Sequence, residues 1–230
     1  IIITCFIISL CAGLVMKIKL NISLQRTFSL SGIALVITAG IGITLLPLFS
    51  RLTMPRIGVM LCIIEGFVIG ALFLYRFFRD PERTITMEPG NIVSPADGTV
   101  LYVKQISAGQ IPESVKKKRV SLLQEIMQAD VVKGAAWHIG IEMSIVDVHV
   151  NRMPAAGRII AQTHVKGKFL SLRDSRAPAE NERTTTLIDS GGFRLAVVQI
   201  ASRLVRRIVS YVREGEMAAR GQRLGRILFG

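Results

Sequence analysis

Apolar and polar positions are distributed differently in the two parts of the chain. From Thr27 to Ser50 there are 24 residues without a charged side chain, and from Ile57 to Tyr75 another 19 broken only by Glu65. A helix needs about 20 apolar residues to cross the hydrocarbon core of a bilayer, so each stretch predicts a membrane-length helix. Between them, Arg51-Leu-Thr-Met-Pro-Arg56 is short, polar and contains a proline, which is the composition of a connection. The pattern predicts a helical hairpin in a membrane; the alternative is a buried hairpin of a soluble protein. Residues 1–15 are also apolar, and the chain opens on Ile rather than Met. It is therefore processed or a fragment, and Met16-Lys17-Ile18-Lys19 reads as a true start.

Beyond Tyr75 the apolar runs shorten and turn residues punctuate them. Arg76-Phe-Phe-Arg-Asp-Pro-Glu-Arg83 is a dense run of charge. Ser94-Pro95-Ala96-Asp97-Gly98 is a turn signal, and the β-rich Thr99–Ile106 follows. Trp137–Met143 alternates and reads as a strand, as do Gly157–Val165, Thr184–Ile188 and Phe193–Ile200. Val205–Val212 fits strand or helix, and Val115–Gln128, with its run Lys116-Lys117-Lys118-Arg119, a loop edge or a short helix. The expected fold class is α+β: a mainly β domain at 76–230 behind a hydrophobic helical segment at 1–75.

Charge sharpens this boundary. Residues 1–75 hold five basic side chains and one acid, while the whole chain holds 29 basic and 16 acidic groups, for a net charge of +13. Half the residues are apolar, which excludes a disordered, collagen-like or coiled-coil chain. Lys17, Lys19 and Arg26 precede the first predicted span, and Arg76, Arg79 and Arg83 follow the second. Basic residues stay on the cytoplasmic side, so the expected location is the cell membrane with the β domain at its cytoplasmic face. The positive charge then suits an anionic leaflet. Few aromatics and a membrane hairpin argue against nucleic acid as partner.

Candidate chemistry is sparse. Cys5, Cys11 and Cys62 all lie in the apolar part, without the spacing of a disulfide framework or a zinc site, and no metal is expected. No nucleotide-binding glycine pattern, metalloprotease helix or nucleophile elbow is present. The histidines are His138, His149 and His164. Asp147 and His149 are two residues apart, so on a strand both would face one side, where a carboxylate can orient an imidazole or form a structural pair. Asp97 lies in a turn in which a carboxylate commonly accepts backbone N–H bonds.

Several motifs in a fixed order are more specific than any of these alone. They are Phe77-Phe78-Arg79-Asp80-Pro81-Glu82-Arg83; Ser94-Pro95-Ala96-Asp97-Gly98; Asp147-Val-His149-Val-Asn151-Arg152-Met-Pro154 with Gly157; Gly167-Lys168-Phe169; Asn181-Glu182-Arg183; Arg206-Arg207-Ile208; and Arg220-Gly221-Gln-Arg223-Leu-Gly225 leading to Phe229-Gly230. Together they resemble the short form of the phosphatidylserine decarboxylase family across nearly all of residues 76–230.

The resemblance implies a proenzyme that cuts itself between a Gly and the following Ser. Gly230 sits where that Gly belongs, so the chain resembles the β chain, with a gene fragment as the alternative. The Ser beyond it would begin a small α chain as a covalent pyruvoyl group, the implied cofactor. The implied reaction is decarboxylation of phosphatidylserine to phosphatidylethanolamine, with membrane phospholipid as partner and a homo-oligomer left open. Asp97 matches the acidic member of the self-cleavage apparatus, and His149 a histidine linked to decarboxylation. Longer bacterial members carry a second His three residues on, where this chain has Arg152. Either His149 therefore serves both steps or Asp97 acts without a His. Arg152 and Lys168 are further candidates for binding phosphate or carboxylate. The alternatives are a non-catalytic, membrane-tethered lipid or group-carrying β module, and an archaeal ether-linked serine lipid as substrate.

Overall fold

A computed structural model describes residues 2–20, 22–45, 47, 52–85, 91–106, 113–116, 119–122 and 135–230. It has the expected α+β class. The chain forms two compact units, one of Ile1–Arg79 with Ser144–Val148, the other of Asp80–Met143 with His149–Gly230.

Among the described residues the first unit holds three helices: α1 (Ile2–Leu20), α2 (Leu24–Thr44) and α3 (Met54–Phe78). The hairpin expected from hydropathy is α2 and α3. Helix α1 is an addition, since the apolar lead at 1–15 continues as helix through Met16–Lys19 to Leu20. The Ser23 side chain accepts the Arg26 N–H at the start of α2, and Pro55 stands in the first turn of α3, where its missing N–H costs nothing. Ile57 and Leu61 of α3 pack with Leu35 and Leu45, while Ile69 and Phe73 pack with Ile22, Leu30, Ile145 and Val146. Helices α1 and α2 approach closely at Gly13, where a Cβ would lie 2.7 Å from Ser31 Oγ, and Ser9 Oγ donates to Ser31 O. Large apolar side chains such as Phe6, Val36, Ile63 and Phe67 point outward. Two of the helices, Leu24–Thr44 and Pro55–Phe78, are long and apolar enough to cross a membrane.

The second unit is mainly β. Its described strands are β1 (Thr99–Ile106), β2 (Glu113–Lys116), β3 (Arg119–Leu122), β4 (Ala136–Glu142), β5 (Val150–Arg152), β6 (Gly157–Val165), β7 (Arg183–Asp189), β8 (Arg194–Ile200), β9 (Val205–Ser210), β10 (Met217–Ala218) and β11 (Arg223–Phe229), with a short helix α4 (Ala177–Glu180) before β7. They pair antiparallel as β10-β6-β7-β8, β5-β11-β9, β1-β4 and β2-β3. Met153, Ile159, Ile188, Val212, Ala218 and Leu224 form the core, backed by Leu195 and Val197.

Strands expected at 99–106, 137–143, 157–165, 184–188 and 193–200 correspond to β1, β4, β6, β7 and β8. Val205–Val212, open between strand and helix, forms β9, because its backbone pairs with β11, Ile208 facing Ile227. Val115–Lys116 and Arg119–Leu122 are strand rather than loop or helix. Lys117, Lys118 and residues 123–128 of that stretch lie outside the described residues.

One expectation is corrected. Asp147 and His149 do not share a strand face, because a turn covers 145–147 and β5 begins at Val150. The Asp147 N–H donates to Ser144 O, and the Asp147 carboxylate accepts the Ser144 N–H and Arg26 Nη1. These local bonds close a turn where spacing alone suggested an extended run.

Candidate functional site

Three segments carry the sequence candidates, and the β unit ties them together. The first is the turn Ser94–Gly98, which presents Asp97. Ser94 Oγ donates to Ala96 O at 2.7 Å, which tightens the turn. Gly98 is required where the turn enters β1: its φ is +153°, and a Cβ there would come within 2.4 Å of Glu142 O. The second segment is His149 with β5, and the third is β11, which leads to Gly230.

Asn151 and Arg152 join the first two segments. Arg152 N donates to Pro95 O at 2.9 Å, and Asn151 Nδ2 reaches the same carbonyl at 3.4 Å. The second and third are joined by the β5–β11 ladder, in which Arg152 faces Arg223 and Val150 faces Arg226. Ile227 N–H extends that ladder to the His149 carbonyl at 3.1 Å. The His149 side chain is buried. Gln199 of β8 supports the arrangement from within: its Nε2 donates to Asn151 Oδ1 at 2.8 Å, and the residue is only 4% exposed. Gly225 lets β11 pass this amide pair, since a Cβ there would lie 2.6 Å from Val209 O and 3.3 Å from the Gln199 amide.

The charged segment at the start of the β unit reaches all three. Asp80 accepts from Arg152 at 3.1 Å and from Arg223, Glu82 accepts from Arg223, and Arg83 Nη2 donates to Asp97 Oδ2 at 2.6 Å. Glu82 and Asp80 hold the Arg223 guanidinium's pKa above its ordinary value, the hydrogen bond to Glu82 being the largest cause. A cleft of about 540 Å³ opens beside this segment, lined by Glu82, Arg83, Arg152, Tyr211, Arg220 and Arg223 among others.

A second group of motifs meets near Gly230. Lys168 bridges to Asn181, with Lys168 N donating to Glu180 O and Glu182 N to Lys168 O. The buried Asn181 side chain bonds both main-chain groups of Leu170 and Ala201 O, and Arg183 caps Ala179 O and Asn181 O. The Arg206 guanidinium lies 5.3 Å from the centre of the Phe169 ring, a cation–π distance. A Cβ at Gly230 would lie 3.2 Å from Arg206 Cβ and 3.5 Å from Arg207 N.

The side chains of the other sequence candidates have partners of their own. Arg152 directs its guanidinium to Asp80, Pro81 O and Gly221 O. Lys168 extends into solvent, 64% exposed, with Glu180 at 2.9 Å. His138 meets the Tyr102 hydroxyl at 3.1 Å, and its pKa is lowered by burial and then by Lys104. His164 meets Thr184 Oγ1 at 2.9 Å.

Sequence reading misses Gln199 and the Arg83–Asp97 pair. A signal exists for the first: Gln199 is the polar residue in the otherwise apolar Leu195–Ile200, and a polar group in such a run needs a partner. The pair joins residues 14 positions apart in two loops, and no periodicity announces it.

A match to the phosphatidylserine decarboxylase family covers residues 71–230. The chain is similar to the phosphatidylserine decarboxylase proenzyme of Pelobacter propionicus, 40% identical over 165 residues, covering 71% of this chain and 66% of the relative. It is similar to the proenzyme of the same name from Geotalea uraniireducens, 36% identical over 165 residues, 71% and 68% of the two chains. The Symbiobacterium thermophilum proenzyme is 38% identical over 196 residues, 80% and 82% of the two. The chain thus spans about two thirds of the length of the first of these relatives. Both the match and these identities lead to one assignment: the chain belongs to the phosphatidylserine decarboxylase family.

Proposed function

We propose that this chain is the β chain of a membrane-bound decarboxylase, which cuts its own precursor after Gly230 and then converts phosphatidylserine to phosphatidylethanolamine. One observation carries the reading: main-chain bonds tie the Asp97 turn to β5 through Pro95 O, and His149 to β11 through Ile227, within one unit. Three motif residues far apart in the chain are thereby held on adjoining segments.

In this reading the bond that is cut follows Gly230, at the end of β11 and beside Arg206 and Arg207. A side chain at 230 would fill the space beside Arg206 and Arg207, and glycine keeps it open. The pyruvoyl group at the start of the α chain would supply a carbonyl able to withdraw the electrons released with carbon dioxide. Asp97 draws off the proton of the serine hydroxyl that attacks the Gly230 carbonyl, since a hydroxyl is a weak nucleophile without a base. The ester so formed replaces the broken Gly230–Ser peptide bond, elimination frees the Gly230 carboxylate, and hydrolysis releases ammonia and leaves the pyruvoyl. His149, buried and held by its main chain, carries the proton that replaces the lost carboxyl group. Lys168, beside the Phe169 ring that Arg206 covers, is the contact for the anionic head group. Arg152, with three acceptors around its guanidinium, positions β5 instead. Helices α2 and α3 anchor the protein, and the basic flanks keep the β unit at the cytoplasmic face.

The test uses protein expressed from the gene extended past Gly230, reconstituted in vesicles of phosphatidylserine labelled at the serine carboxyl. Labelled carbon dioxide should be released, and His149→Ala should lower the rate by about 10²–10⁴-fold, the range for a general acid or base. Cleaved protein that releases no carbon dioxide, or a fully active His149→Ala, contradicts the proposal.

A further inference from the structure

The segment Asp80-Pro81-Glu82-Arg83 takes no part in the proposed chemistry, yet it bonds to the Asp97 turn, to β5 and to β11. Asp80 bonds the guanidinium groups of Arg152 and Arg223, and these two residues face each other across the β5–β11 ladder. Glu82 adds a second acceptor for Arg223. Three residues after Asp80, Arg83 bonds the Asp97 carboxylate at 2.6 Å. The segment therefore runs as a strap from the ladder that carries His149 and β11 to the turn that carries Asp97. Pro81 favours an extended backbone at the residue before it, which suits a strap that must span rather than coil.

We propose that Arg83 is a positioning residue for Asp97 in self-cleavage, with Asp80 fastening the strap that carries it. The turn Ser94–Gly98 is pinned at Pro95 by Asn151 and Arg152, while the carboxylate two residues on is held at its Oδ2 by Arg83. Pro95 fixes where the turn lies, and Arg83 fixes where its carboxylate points. The Arg83 and Asp97 side chains are 41% and 37% exposed, and an ion pair so open to water adds little to stability. Its effect should therefore appear in the cleavage rate and not in the melting curve. This inference rests on the assignment of Asp97 to self-cleavage.

The experiment follows the conversion of precursor to two chains over time, using the gene extended past Gly230 and four proteins: parent, Arg83→Ala, Arg83→Lys and Asp97→Ala. Arg83→Ala should cut about a hundredfold more slowly than the parent, the loss that a misplaced reacting group produces, with an unchanged melting midpoint. Arg83→Lys, which keeps a cation of similar reach, should recover most of that loss. Added guanidinium ion below denaturing concentration should speed Arg83→Ala and leave Asp97→Ala unaffected. A purely structural strap would show none of this rescue, and an Arg83→Ala that is neither sped by guanidinium nor restored by Lys overturns the inference. If Asp97→Ala stays uncut while Arg83→Ala cuts at the parent rate, the role of Arg83 falls and that of Asp97 stands. If Asp97→Ala cuts normally, the Asp97 assignment fails, and the inference with it.

Discussion

The helical unit and the β unit both bury polar side chains, but set them in different surroundings. In the helical unit, Phe6, Val36, Ile63 and Phe67 face outward, while Ser9, Thr27, Thr38 and Glu65 are buried. In the β unit the ordinary order holds at the core, with Met153, Ile159, Ile188 and Leu224 fully enclosed and the charged strap of Asp80–Arg83 toward solvent. A helix that is apolar on its outer face suits lipid; in the β unit, exposed large apolar side chains such as Val100, Val103, Trp137 and Ile139 gather on β1 and β4. The exceptions within the β unit are instructive. Asn151, Asn181, Arg183 and Gln199 are buried there, and each is bonded to main chain or to another buried amide. Through these four residues, buried polarity fastens one segment of the β unit to another.

Truncation in the β core should cost the protein most. Leu224 is fully buried on β11, and Leu224→Ala should destabilise the β unit by about 2–5 kcal/mol, the usual cost of a truncated core leucine. Phe67→Ala, at a position 76% exposed, should leave the thermal midpoint of the detergent-solubilised protein unchanged. Equal losses for the two would mean that the helical unit buries Phe67 against protein. A somewhat smaller effect tests what surrounds the helices. Phe67→Arg puts a charge at the middle of α3 and should cost about 3 kcal/mol of membrane insertion, read as the fraction resisting alkaline extraction. An unchanged fraction would show that this face does not meet lipid.

The smallest effect concerns pH. The pKa of His138 is lowered in the folded protein, by burial first and by Lys104 second. Its contribution to stability is therefore complete above the ordinary imidazole value of about 6.5. That contribution is lost as pH falls from there toward the folded value, because the unfolded chain takes up the proton first. His138→Asn should flatten this part of the stability curve, measured as the melting midpoint between about pH 7 and 5. A curve of parental slope would show that His138 is as open to protons folded as unfolded.

The two units also differ in how much of them can be read from the chain. Long apolar stretches, the second broken only by Glu65, announce α2 and α3, but the stretch beside them at 1–15 falls short of a full span and does not by itself declare a helix. Strands β1, β6, β7 and β8 follow from β-rich runs between turn residues. Strand β9 stays open between two classes until its partner β11 is known, because pairing is a long-range event that local pattern does not contain. The same limit applies to the site. Asp97, His149 and Gly230 are visible as motif residues. Their joining through Pro95 O, Asn151, Gln199 and the Asp80–Arg83 strap is not, since each contact crosses between loops or sheets. The 144–149 stretch shows the converse, where local bonds at Ser144 and Asp147 override an extended reading.

The most direct measurement is the intact mass of the protein purified from membranes after expression of the gene extended past Gly230. Two chains are expected, the larger ending at Gly230 and the smaller with a blocked, pyruvoyl-bearing N-terminus. A single uncut chain from a folded, membrane-inserted sample would contradict self-cleavage at Gly230 and with it the proposed decarboxylase.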